Sequence, residues 1–149
     1  MTGPGRDALP EWPPGTVAIL STRGAAPHAI PVSTGVVAGP RLALIALARR
    51  RRSLEHLRAD PRVALTVLAG GDIALTAHAR ASIVQDPMEV SGHVAAVALR
   101  VDSIQDHGQP RFVIEEGVRW RWTDPEAQAR DEAIRAALAG LAAAAAVGG

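Results

Sequence analysis

The sequence predicts a mainly β fold of the α+β class: a small barrel of six to seven mostly antiparallel strands with a short internal helix and a C-terminal helix. Three features predict it. Short apolar runs alternate with Gly, Pro and Asp turn signals, the stretch from Ile73 to Val84 alternates with period two, and helix-start signals stand near Ser53 and Thr123.

Residues 1–15 hold Pro4, Pro10, Pro13, Pro14 and three glycines, which reads as a flexible N-terminal arm. The barrel is expected over 16–123. Thr16 to Thr22 is a β-branched apolar run stopped by Arg23-Gly24, and His28 to Val37 is a second run after Pro27, joined to the first as a hairpin. Arg41 to Leu47 follows Gly39-Pro40 as a third strand. Ser53 is placed to N-cap a helix of under two turns, in which Leu54, Leu57 and Ala59 fall at helical spacing before Asp60-Pro61.

Arg62 to Ala69 is a nearly continuous apolar strand, and Gly70-Gly71-Asp72 turns the chain into the long strand Ile73 to about Val84. On it Ile73, Leu75, Ala77, Ala79, Ala81 and Ile83 share one face, while Thr76, His78, Arg80 and Ser82 share the other. One face packs and the other meets polar surroundings. His93 to Ile104 follows as a sixth strand, and Arg111 to Glu115 with Val118 to Trp122 flank Glu116-Gly117 as a last hairpin. Thr123 and Glu126 stand at capping-box spacing with Pro125 in the first turn, which starts a helix over 124–149 that frays at Gly148-Gly149. Ile134, Leu138 and Leu141 form the stripe that docks it.

Composition removes several chemistries. All 16 basic residues are Arg, against 15 acidic ones, and the 149 residues include no Cys, Lys, Asn or Tyr. Disulfides, thiol nucleophiles, thiolate metal sites, Schiff bases and a phosphate-loop lysine are therefore excluded. The pI of about 9.0 is no sign of nucleic-acid binding, because little besides the α-amine titrates between His and Arg. The formal net charge is only +1, and aromatics for stacking on bases make up 3% of the chain. The opening residues lack an apolar secretory core, and no apolar run approaches the ~20 residues of a membrane span. The expected setting is cytoplasmic, with neither membrane nor nucleic acid as partner.

The histidines at 28, 56, 78, 93 and 107 are too far apart for a local zinc motif. No serine sits in a nucleophile-elbow motif, and Gly70-Gly71 joins two strands instead of opening a helix. The strongest local signal is Arg49 to Arg52 before Ser53. Guanidinium forks beside the free amides of a helix start would hold an anion; a solvated turn is the alternative. Trp120 and Trp122 alternate with Arg119 and Arg121, so both indoles share a face, suited to core or dimer packing or to stacking on a flat ring. Thr76, His78 and Arg80 form either a ligand-facing wall or a solvent or interface face.

Three segments in order, Gly24 to Val32 (GAAPHAIPV), Ser53 to Val67 (SLEHLRADPRVALTV) and Ala79 to Val84 (ARASIV), resemble the pyridoxamine-5′-phosphate oxidase-like, flavin-binding split-barrel family, which also contains deazaflavin-dependent reductases. The resemblance spans Gly15 to Val84, about half the chain, and the D-P-R-V block is its most specific part. It implies a split barrel, a homodimer, and FMN or a deazaflavin (coenzyme F-420) bound between the two barrels, with heme a less favoured ligand. By position it assigns cofactor contacts to Ile30, Pro31, Val32, Ser33, Ala46 and Leu47, and phosphate contacts to Arg52 and Ser53, where relatives usually carry Lys or Arg in place of Ser53. Arg51 is an added candidate for the phosphate, and Thr76 for the ligand wall. The expected activity is hydride transfer to or from a small molecule; a dimer that sequesters flavin or heme without turnover is the alternative.

Overall fold

The computed structural model describes residues 5–148. Eight strands and two helices follow one another as β1 (Gly5–Arg6), β2 (Ala18–Thr22), β3 (His28–Val32), β4 (Val36–Gly39), β5 (Leu42–Ala48), α1 (Arg52–Ala59), β6 (Arg62–Ala69), β7 (Ile73–Gln85), β8 (Val94–Asp106) and α2 (Pro125–Gly148). Seven strands form one antiparallel sheet in the order β3-β2-β6-β7-β8-β5-β4, with β1 added to β8. The result is a split barrel carrying a C-terminal helix.

β7 and β8 are 13 residues each, and their pairing carries the rest. Two register shifts, at His78/Ala79 and Ile83/Gln85, bend this ribbon, as an extra residue on one strand bends and twists a ladder. The turn into β7 needs positive φ at Gly71 and Asp72, which a Gly-Asp pair tolerates. The expected alternation holds: Leu75, Ala77, Ala79 and Ala81 are buried in the barrel, and His78, Arg80 and Ser82 are exposed.

The interior is filled by Leu20, Ile30, Val32, Ile45, Leu47, Leu65, Leu75, Val97 and Leu99, closed at one end by Leu54 and Leu57 of α1. A second apolar layer lies outside the sheet, where Leu138 and Ala142 of α2 cover Leu44, Ala46, Ala96, Ala98 and Met88. Ile134 and Leu141 flank it, so the expected stripe is the docked one.

Several local expectations are corrected. The run His28 to Val37 is two strands: β3 pairs with β2, and β4 pairs with β5. Arg51, not Ser53, is the N-cap of α1, and it makes no side-chain cap bond. Ser53 is fully buried, with its hydroxyl 3.2 Å from His28 Nε2. Ser53 is the second residue inside the helix, past the position from which a side chain caps the first turn. Residues 111–122 form no strands, because their backbone lies against the β6–β7 turn instead of on a free ladder edge. At the start of α2 Asp124 does the capping: its Oδ1 accepts from the Glu126 amide at 3.0 Å, so Thr123 is one residue too early.

The segment expected as an arm is held from Gly5 onward. Arg6 donates to Asp106 at 2.7 Å, the Leu9 amide bonds Pro40 O at 2.8 Å with its side chain buried, and Trp12 Nε1 donates to Gly35 O at 3.1 Å. Residues 1–4, and Gly149 at the fraying end expected for α2, lie outside the described residues. No described helix is long and apolar enough to cross a membrane.

Two carboxylates fasten this frame. Asp60 is drawn down to about 2, first by the Arg62 side-chain bonds and then by the Arg62 amide. Asp106 is also lowered, first by the Gly108 amide and then by Arg6. A carboxylate whose folded value is depressed stabilises the fold above its unfolded value and loses that contribution as pH falls through the folded one. The Asp106→Asn variant is expected to be about 1 kcal/mol less stable at pH 7. Its melting temperature will also fall less than wild type between pH 5 and pH 2, as read by circular dichroism.

Candidate functional site

β3 ends where Thr34 takes over from the ladder. Its hydroxyl accepts from the Ala46 amide at 3.0 Å and donates to Ala46 O at 3.2 Å. One side chain thus bonds both backbone groups of Ala46 and brings Ile30 to Ser33 beside Ala46 and Leu47. Their side chains differ in what they can reach. Ile30, Val32 and Leu47 face the barrel core, and Ala46 lies beneath α2. Pro31 and Ser33 are the open ones of this set.

Above that end of β3 is a cleft of about 320 Å³ lined by Val17, Pro31, Val32, Ser33, Trp120, Arg121 and Trp122. The two indoles meet edge to face at 5.4 Å and 81°, and each is 39% exposed. Trp120 Nε1 donates to Gly15 O at 2.8 Å, which fixes its ring. They are walls of the cleft, not core. The irregular segment carrying them is seated by backbone packing. A Cβ at Gly70 would stand 2.8 Å from Glu115 O, and one at Gly117 would stand 2.7 Å from Leu68 O, so glycine at both positions permits the approach. A larger cavity of about 640 Å³ shares Val17, Trp120, Arg121 and Trp122 with the cleft, and its walls include Gly70, Glu116, Gln128, Glu132 and Arg135.

The other end of β3 meets α1. His28 and His56 pack edge to face with centroids 4.8 Å apart, bonded respectively to Ser53 and to Thr22 Oγ1 at 2.9 Å. The two histidines stand 28 positions apart in the sequence, and only the topology joins them. Arg51 and Arg52 are exposed at the helix start, outside the described ion pairs. α1 has no side-chain cap; of its first-turn amides, that of Leu54 donates to Arg51 O at 3.2 Å, which leaves those of Arg52 and Ser53 without a described protein acceptor.

Thr76 lies elsewhere on the sheet. Register places Pro31, Ile19, Thr66 and Thr76 in one outward row across β3, β2, β6 and β7, so Thr76 is about 14 Å from Pro31 at ordinary strand spacing. Its hydroxyl bonds Thr66 Oγ1 at 3.0 Å and His107 Nε2 at 2.8 Å. His78 and Arg80 follow on the same uncovered face, away from the cleft.

No family model matches the chain, and no curated protein matches it significantly. Solved structures do match. A candidate pyridoxamine 5′-phosphate oxidase from Listeria innocua superposes with a TM-score of 0.53 at 15% identity, over 63% of this chain and 90% of that one. The fold is that of the pyridoxamine 5′-phosphate oxidase-like split barrels. An F420 reductase aligns with a TM-score of 0.53 at 13% identity, over 62% of this chain and 91% of its own. The flavin reductase component of a bacterial two-component tryptophan halogenase gives 0.51 at 13%, over 64% and 81%.

Proposed function

We propose that this protein binds a flavin-type cofactor, FMN or a deazaflavin, as a homodimer and acts as an oxidoreductase on a small molecule. The observation that carries the reading is the cleft at the end of β3, where Pro31, Val32 and Ser33 meet Trp120 and Trp122. Its walls are largely flat and apolar, and β3 leads from there to the uncapped start of α1. Five residues separate His28 from Ser33, roughly 17 Å of strand, which suits a ligand with a planar ring at one end and a phosphate at the other. Ala29 and Pro31 are the exposed side chains along that path.

The donor set fits such a group. Arg51 and Arg52 would hold a phosphate together with the first-turn amides of α1. The backbone of β3, with Ser33, would meet the polar edge of the ring, and Trp120 and Trp122 would cover its apolar part. When bound, the cofactor supplies hydride transfer; the chain orients it, excludes water and shapes the space for the second reactant. The larger cavity beyond Trp120 is where that reactant would sit. The names of the structural neighbours, F420 reductase and flavin reductase among them, support a flavin-type ligand.

The homodimer reading is supported by the sheet face that α2 leaves bare. Ile19 is 40% exposed and Leu68 is 52% exposed beside Ala29, Pro31, Ala64, Thr66 and Thr76. A second copy seated there would bury at least ~2,000 Å², as obligate homodimers do. Light scattering at micromolar concentration is expected to give the mass of two chains; a monomer would contradict the assembly.

Cofactor binding is tested at the helix start. Arg51→Ala and Arg52→Ala each remove one charge-assisted pair, worth ~1.5–3 kcal/mol or ten- to a hundredfold in FMN affinity. Stability without cofactor should move by no more than ~0.5 kcal/mol. Titration showing unchanged affinity in both variants would return the arginine run to the role of a solvated turn.

A further inference from the structure

The connection between β7 and β8 folds back over the junction of β5 and α1, and there two guanidinium groups share one carboxylate with a third nearby. Asp86 Oδ1 accepts from Arg49 Nε at 2.6 Å, and Oδ2 accepts from Arg58 Nη2 at 2.7 Å. Arg49 is tied further: its amide donates to His93 O at 2.9 Å, and Nη1 reaches Gly92 O at 3.5 Å. Between these side chains lies a basin of about 620 Å³ whose wall is completed by Ala48, Arg50 and His93.

A tie for this loop needs one carboxylate and one arginine, and the basin has more. Both oxygens of Asp86 are used, each by a different arginine, so Arg49 and Arg58 keep N–H groups that Asp86 does not engage. Arg50 adds a third fork outside the described ion pairs. The basin therefore carries two positive charges in excess, in a chain whose whole formal charge is +1. Two of the three forks are already oriented, one from the turn after β5 and one from the last turn of α1, so little side-chain freedom remains to be lost when an anion arrives.

We propose that this basin is a second anion site, which takes a phosphate group carried on a small molecule. Guanidinium forks match phosphate oxygens in paired bonds, and two excess charges suit a dianion. The volume exceeds what a lone phosphate fills, which leaves room for the body that bears it. Asp86 is the positioning residue, Arg49, Arg50 and Arg58 the binding ones, and His93 an imidazole on the wall. The site is distinct from Arg51 and Arg52, which do not line the basin, and it requires no bound flavin.

Calorimetric titration of the full chain at low salt, with inorganic phosphate, pyrophosphate and ADP as probes, tests this. Pyrophosphate is expected to bind saturably at one site per chain in this basin. Arg50→Ala should weaken it at least tenfold, with an unchanged circular dichroism spectrum, since Arg50 is exposed and outside the described ion pairs. Arg130→Ala on α2, which removes the same charge elsewhere, should not weaken it. ADP binding as tightly as pyrophosphate would identify the occupant as a phosphorylated small molecule. Absence of pyrophosphate binding, a response to inorganic phosphate alone, equal affinity in Arg50→Ala, or a loss confined to Arg52→Ala would each overturn the proposal.

Discussion

The antiparallel pairing of β7 with β8 is the constraint on which the remaining structure depends. One edge of the ribbon carries β6, β2 and β3, and the other carries β5 and β4, with β1 beyond the end of β5. The two bulges bend the ribbon, and its inward alanines, Ala77, Ala79, Ala81 and Ala95, leave space for larger side chains from the flanking strands. Those strands supply Leu20, Ile45, Leu65 and Val67. A barrel with almost no aromatic core is filled in this way by pairing small residues with large ones.

The same sheet has two outer surfaces with different fates. α2 covers the part over β4, β5 and the start of β8, and the Ala46 side chain lies beneath it. The part over β3, β2, β6 and β7 stays open, and the cleft forms at its margin, where the segment after β8 brings Trp120 and Trp122 over Pro31. The cationic groups gather at the β5–α1 junction, where four consecutive arginines divide between two settings. Arg49 and Arg50 line the basin with Asp86, and Arg51 and Arg52 stand at the helix start.

Much of this was legible in the residues, because strand periodicity and turn chemistry are local. β2, β5, β6, β7, β8 and the docking stripe of α2 follow from apolar alternation and from Gly70-Gly71-Asp72. The split between β3 and β4 was not legible: Val36 and Val37 extend the apolar run, and only the pairing of Thr34 with Ala46 shows where the strand stops. Ser53 is a residue type that favours the N-cap, but the helix begins one residue earlier and Ser53 instead meets His28 across the fold. The Arg-Trp alternation at 119–122 has the period of a strand, yet the segment packs by glycine approach and indole contact instead. For the site, the resemblance pointed to the end of β3, while the second wall came from residues about 90 positions away, a juxtaposition that no local pattern encodes.

The proposed seating of a planar cofactor ring against Trp120 and Trp122 is tested most directly by tryptophan fluorescence during FMN titration. Of the three tryptophans in the chain, two line the cleft and Trp12 is held apart by its bond to Gly35 O. Saturable quenching of most of the emission is expected, retained in Trp12→Phe and largely lost when Trp120 and Trp122 are both replaced by Phe. Saturable FMN binding that leaves the emission of Trp120 and Trp122 unchanged would contradict it.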